Sequence, residues 1–131
     1  MPPSFGDAYL RWIEPHSESP KQYHVLCAIA ACCAALGDRV YFKPKYGRVY
    51  PHIWLGCVGP SWVQKSSAVF HATGLLKDAS PGIRLPKLYS MEKLIIILQE
   101  QKAGIIVWSE LGTAMEAFSK EYSAGVIGLM I

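Results

Sequence analysis

A near-continuous apolar run, His52-Ile53-Trp54-Leu55-Gly56-Cys57-Val58, stops at Gly59-Pro60, and a helix-forming stretch opens at Lys65. Runs like this are typical of a strand buried on both faces of a parallel sheet, where neither face needs polar residues. A second run, Ile105-Ile106-Val107-Trp108, has the same character and ends on Ser109-Glu110. Between the two, Met91 to about Gln101 carries Leu94, Ile97 and Leu98 on one helical face, with Ser90 as its cap and Gly104 as its stop. Leu88-Tyr89 reads as a short strand, and Gly112 to Ile131 as mostly helical. Strands alternating with helices predict an α/β fold, a parallel sheet with flanking helices and right-handed crossovers.

Upstream, Phe5, Tyr9, Trp12 and Ile13 stand at helical spacing and predict a short amphipathic helix. Ser19-Pro20-Lys21-Gln22 then reads as a helix start, with Ser19 as N-cap and Pro20 at the first helical position. That helix runs to about Leu36, with Gly37 just past its end. Its alanines and cysteines are small on most sides, which predicts burial against other helices. Arg39–Phe42 and Arg48–Tyr50, separated by Pro44-Lys45-Tyr46-Gly47, predict a hairpin. The organisation expected is one compact domain: helices and hairpin over 1–50, then an α/β nucleotide-binding core from 51 to 131.

The 131 residues can bury one modest core. With 51% apolar and 18% charged residues the chain is globular in composition. Its net charge of +3 is compatible with phosphate ligands or nucleic acid and argues for neither alone. Cys27, Cys32, Cys33 and Cys57 have no zinc-site spacing, so they read as buried thiols, which suits a cytoplasmic protein. The apolar run from Val25 to Leu36 is too short to span a bilayer, and no membrane association is expected. The apolar end Gly128-Leu129-Met130-Ile131 reads as a cut through an element that once continued.

The chemistry is concentrated in Gly59-Pro60-Ser61-Trp62-Val63-Gln64-Lys65-Ser66, followed by Ser67. The phosphate-loop pattern is G-x-x-x-x-G-K-[ST], and all but its second glycine, here Gln64, are present. In such a loop, consecutive backbone N–H groups and a helix N-terminus surround phosphate oxygens. Lys65 would supply a charge at the outer phosphates, and the Ser66 hydroxyl a hard oxygen ligand for Mg²⁺. Lysine opposes the dipole at a helix start, so its placement there points to a ligand. A residue other than glycine at positive φ costs about 1–2 kcal/mol, so Gln64 weakens the match. Trp62 is bulky for a loop that wraps a ligand, and stacking on the nucleotide or shielding the loop are both open to it. An enzyme of this kind also needs an acid at the end of a neighbouring strand, to hold the metal or orient water. Glu110 is the candidate, as a catalytic group beside Lys65 and as a metal ligand beside Ser66.

These residues resemble the RecA-like ATPase domain of primase–helicase-type proteins of phages and mobile elements. The resemblance runs from about Pro20 onward. It rests on Ala35-Leu36-Gly37, Arg39-Val40-Tyr41-Phe42, Tyr50-Pro51-His52-Ile53-Trp54, Gln64-Lys65-Ser66-Ser67-Ala68, Ser90-Met91-Glu92-Lys93-Leu94 and Ser109-Glu110-Leu111-Gly112. It implies ATP and Mg²⁺ as ligands, a RecA-like sheet, self-association and work on DNA. It also implies later strands, a polar sensor and an arginine finger that lie beyond Ile131, so that hydrolysis by this chain would be weak or absent. Two other readings compete. One is a non-catalytic interaction module that has lost nucleotide. The other is a binder of single-stranded DNA through Lys43, Lys45, Arg48 and the tyrosines Tyr41, Tyr46 and Tyr50. His71, one turn beyond Ser67, reads as a packing or surface histidine.

Overall fold

The computed structural model describes residues 2–80, 83, 85, 91–101, 103–110 and 112. Helix α1 spans Phe5–Ile13, as the spacing predicts. Its start is set by Ser4, whose extended backbone lets Oγ accept the Asp7 N–H at 3.2 Å. A cap of this kind stabilises a helix by about 1 kcal/mol. Asp7 in the first turn and Arg11 in the last suit the helix dipole. Tyr9 and Ile13, four apart, are the buried pair.

Helix α2 spans Lys21–Leu36. It begins one residue later than the Ser-Pro signature predicts, and Pro20 rather than Ser19 occupies the cap. The difference comes from Ser17, whose Oγ accepts the Ser19 N–H at 3.2 Å and turns the chain before the helix starts. Ser19 is itself buried, and its hydroxyl has no partner among the described residues. His24, Cys27, Ala28 and Ala31 form one buried stripe, narrower than the all-round burial that the small residues suggest. Val25, Leu26 and Ile29 face outward. Gly37 ends the helix at φ 53° with its N–H on the Cys33 carbonyl, 3.0 Å away. A Cβ on Gly37 would stand 2.7 Å from Ala103 Cβ, so only glycine allows both the turn and that approach.

Helix α3 spans Lys65–Ala79 and presents Ala68, Ala72, Thr73 and Leu76 to the core. The Thr73 hydroxyl is satisfied within the helix by the Val69 carbonyl at 2.8 Å. Its alanines pack with Cys27, Ala28 and Ala31 of α2 in one cluster that also takes in Tyr9, Ile13, Leu76 and Ile83. Helix α4 spans Met91–Glu100, with Ile97 and Leu98 half-buried and Ile95 and Ile96 exposed. None of the helices is long and apolar enough to cross a membrane, among the described residues.

The expected RecA-like parallel sheet is overturned. The described residues are organised as helices and contain no strand. The predicted hairpin is a single antiparallel bridge between Phe42 and Val49, with both hydrogen bonds at 2.8 Å. Residues 52–58 have no strand pairing, and they are not buried on both faces. Leu55 and Cys57 pack on the helical core, while Ile53, Trp54 and Val58 are exposed. The run 105–108 is half-buried, and Ile105 forms a backbone pairing: its N–H donates to Ile83 O and its carbonyl accepts from Leu85 N, both at 2.9 Å. Apolar, β-branched residues favour an extended chain, but a ladder also needs a partner at the right distance, and side-chain type does not supply one. The expected strand at Leu88-Tyr89, the Ser90 cap and the helix over 113–131 lie outside the described residues.

Candidate phosphate-binding site

The loop begins at Val58, whose carbonyl accepts the Tyr23 hydroxyl from α2 at 2.6 Å. Gly59 follows, and a Cβ there would lie 2.5 Å from the Tyr23 oxygen. Glycine therefore lets α2 hold the loop entrance closely. Pro60 leads into one 3-10 turn at Ser61–Val63, closed by the Val63 N–H on the Pro60 carbonyl at 3.3 Å. Gln64 then reverses the chain at φ 50°, ψ 35°, and is the one non-glycine residue at positive φ among those described. It thus takes the conformation for which the pattern carries glycine. Helix α3 starts at the next residue.

Lys65 folds back over the turn. Its Nζ donates to the carbonyls of Gly59 at 2.6 Å and Pro60 at 2.7 Å, closing 59–65 into a ring. Residues 59–66 are therefore a closed turn and not an extended segment. Lys65 as a whole is half-buried, and α3 begins, as any helix does, with N–H groups that no earlier turn of helix can accept. Fixed N–H dipoles and one cation at the same helix end form an environment that favours an anion.

The other predicted site residues are placed as follows. Ser61, Trp62 and Ser66 are exposed and Val63 is half-buried. Trp62 is 82% exposed, so it shields nothing in the loop. The Ser67 hydroxyl lies 3.1 Å from Ser17 Oγ, and its N–H donates to the Gln64 carbonyl at 3.0 Å. Glu110 is exposed at the end of the segment that starts at Ala103. No group of three His, Cys, Asp or Glu side chains among the described residues could hold a metal by itself.

Behind the loop lies a polar chain that the sequence reading missed. Tyr9 Oη is 3.3 Å from His24 Nδ1, His24 Nε2 is 3.0 Å from Ser17 Oγ, and Ser17 reaches Ser67. Burial lowers the His24 pKa, and His71, 6.4 Å away between ring centroids, adds to the effect. Burial likewise pushes the Tyr9 hydroxyl up to about 12, with Cys27 contributing. His71 packs against Trp12, His24 and Phe70 and so serves the helix contacts. The one sequence signal for this chain was a histidine on the apolar face of α2. The four cysteines are free thiols, but only Cys27 is buried, against the expectation for all four; Cys32, Cys33 and Cys57 are half-buried, and Cys27 is pushed up to about 12 by burial and by Cys57 beside it.

The stretch of sequence that contains the loop carries charge of one sign. From Arg39 to Lys77 the sequence carries Arg39, Lys43, Lys45, Arg48, Lys65 and Lys77 and no acidic residue. The bridge region displays its cations beside aromatic rings: Arg48 lies 4.6 Å from the Tyr41 ring centroid and Lys45 lies 5.4 Å from that of Tyr46. Tyr46 is 87% exposed. No family model, curated protein or solved structure matches this chain.

Proposed function

We propose that residues 59–67 bind the phosphates of a nucleoside triphosphate, ATP with Mg²⁺, and that the chain is the nucleotide-binding part of a DNA-processing ATPase of the primase–helicase type. The observation that carries this reading is the ring closed by Lys65 on Gly59 and Pro60, with Gln64 left-handed beneath it. An ordinary turn before a helix does not need a lysine ammonium drawn back onto its own carbonyls. In this reading an arriving phosphate draws the ammonium from those oxygens, and the N–H groups at the start of α3 donate to its other oxygens. Ser66 and Glu110 would hold the Mg²⁺, which neutralises phosphate charge when bound.

The test is binding of a fluorescent ATP analogue with Mg²⁺, with melting temperature measured in parallel. ATP with Mg²⁺ should raise the melting temperature, and Lys65→Ala should remove the rise. No rise in the wild-type chain would defeat the reading.

A specific observation supports single-stranded DNA as a second partner. The acid-free span, with arginine and lysine beside exposed tyrosines, combines backbone attraction with stacking faces for bases. Anisotropy titrations with an oligo-dT strand should give an affinity that falls steeply with salt. Arg48→Ala with Tyr46→Ala should weaken it, and binding unchanged by that pair would remove this partner. Self-association, which the family resemblance implies, is read by light scattering with and without ATP.

A further inference from the structure

Glu18 and Gln64, 46 residues apart, meet at the rim of the loop, where the Gln64 side-chain amide donates to Glu18 Oε2 at 2.9 Å. The neighbouring residue grips the loop a second time, through Ser17 Oγ on Ser67 Oγ at 3.1 Å. Ser17 is held in turn by the Ser19 N–H and by His24 of α2, and His24 by Tyr9 of α1. Two consecutive residues of the α1–α2 connection thus hold positions 64 and 67, on either side of Lys65-Ser66.

Gln64 is the position where this chain departs from the phosphate-loop pattern, and its backbone is left-handed at φ 50°. A side chain with a Cβ disfavours that conformation, and glycine does not. Rotating Gln64 back to an ordinary conformation would swing its side chain away from a carboxylate fixed by its anchored neighbour. The bond to Glu18 therefore favours the left-handed form over the alternatives.

Resting on the nucleotide reading above, we propose that Glu18 is a positioning residue for the phosphate loop. By holding the Gln64 amide it keeps residue 64 left-handed, the backbone form from which Lys65 opens α3. It does for glutamine what the missing Cβ does for glycine. Its role is indirect, because an uncompensated carboxylate at this rim would repel phosphate.

The experiment is a double-mutant cycle on the full chain: wild type, Glu18→Ala, Gln64→Gly and the double variant, with Glu18→Gln as the conservative control. Two quantities are read: affinity for a fluorescent ATP analogue with Mg²⁺, and amide hydrogen exchange over 61–68 without nucleotide. Glu18→Ala should weaken binding about fivefold, the worth of one lost hydrogen bond, and speed exchange in the loop. In the Gln64→Gly background it should do neither. Glu18→Gln, whose amide oxygen still accepts, should keep most of the wild-type behaviour. Equal losses in both backgrounds would overturn the proposal, as would tighter binding in Glu18→Ala. Both side chains are exposed, so a melting temperature that falls in step with affinity would also overturn it. If the wild type binds no ATP, the nucleotide reading fails, and the exchange cycle still decides whether Glu18 holds Gln64.

Discussion

Helix α3 and the stretch that precedes the loop, residues 39–58, are neighbours in sequence and opposite in burial. The helix sends small side chains inward, Ala68, Ala72 and Thr73 with Leu76. The stretch is richer in large apolar groups, yet Phe42, Trp54 and Val58 remain largely outside. Hydrophobicity alone therefore does not decide burial here. In α3 the apolar positions recur every three or four residues and meet a matching stripe of small residues on α2. In 52–58 only Leu55 and Cys57 reach the core. The loop lies between the two regions, fastened to the first by Lys65 Nζ on Gly59 and by the Ser67 N–H on Gln64, and to α2 by Tyr23.

The contrast is open to direct attack by mutation, the largest effects coming first. Ile13→Ala, at a position 2% exposed, should cost about 3 kcal/mol in urea unfolding. Similar losses from Ile53→Ala would erase the distinction between the regions. Ala68→Leu should cost about 2 kcal/mol by overpacking the contact between α2 and α3, and a neutral result would mean that the alanine contact is loose. Tyr23→Phe removes the bond to the Val58 carbonyl and should cost about 1 kcal/mol, with faster exchange around Gly59.

Acid sharpens the same comparison. His24 has its pKa lowered in the folded state, so below about 6.5 the unfolded chain takes up a proton that the folded chain resists. Stability should be full above that pH and fall as pH drops below it, and His24→Gln should flatten the decline in urea midpoints between pH 7.5 and 5. The smallest effect belongs to the exposed region: Trp54→Ser, at a position 63% exposed, should change stability by no more than about 0.5 kcal/mol.

Much of the helical framework was legible. The spacing of Phe5, Tyr9 and Ile13 marks α1, and Lys65 marks the start of α3. The left-handed backbone at 64 falls where the motif carries glycine, so that one conformation was legible. The sheet was misread because Ile53, Val58 and Ile105–Val107 have the side chains of buried strands, and side-chain type cannot report whether a pairing partner comes alongside. Ser17, Glu18 and Tyr23 were not recognised as loop contacts, because each reaches its partner over a separation of 35 residues or more.

The sequence by itself determined what acts over a few residues: the Ser4 cap, the Gly37 stop, and a closed turn in which Lys65 can reach back to Gly59. These follow from steric limits and hydrogen bonds inside one or two turns of chain. Only the tertiary structure decided that 52–58 lies on helices without strand pairing among the described residues, and that Ser17 and Glu18 hold Ser67 and Gln64. Such contacts exist only once helix packing has brought distant segments together, and local preference carries no information about that.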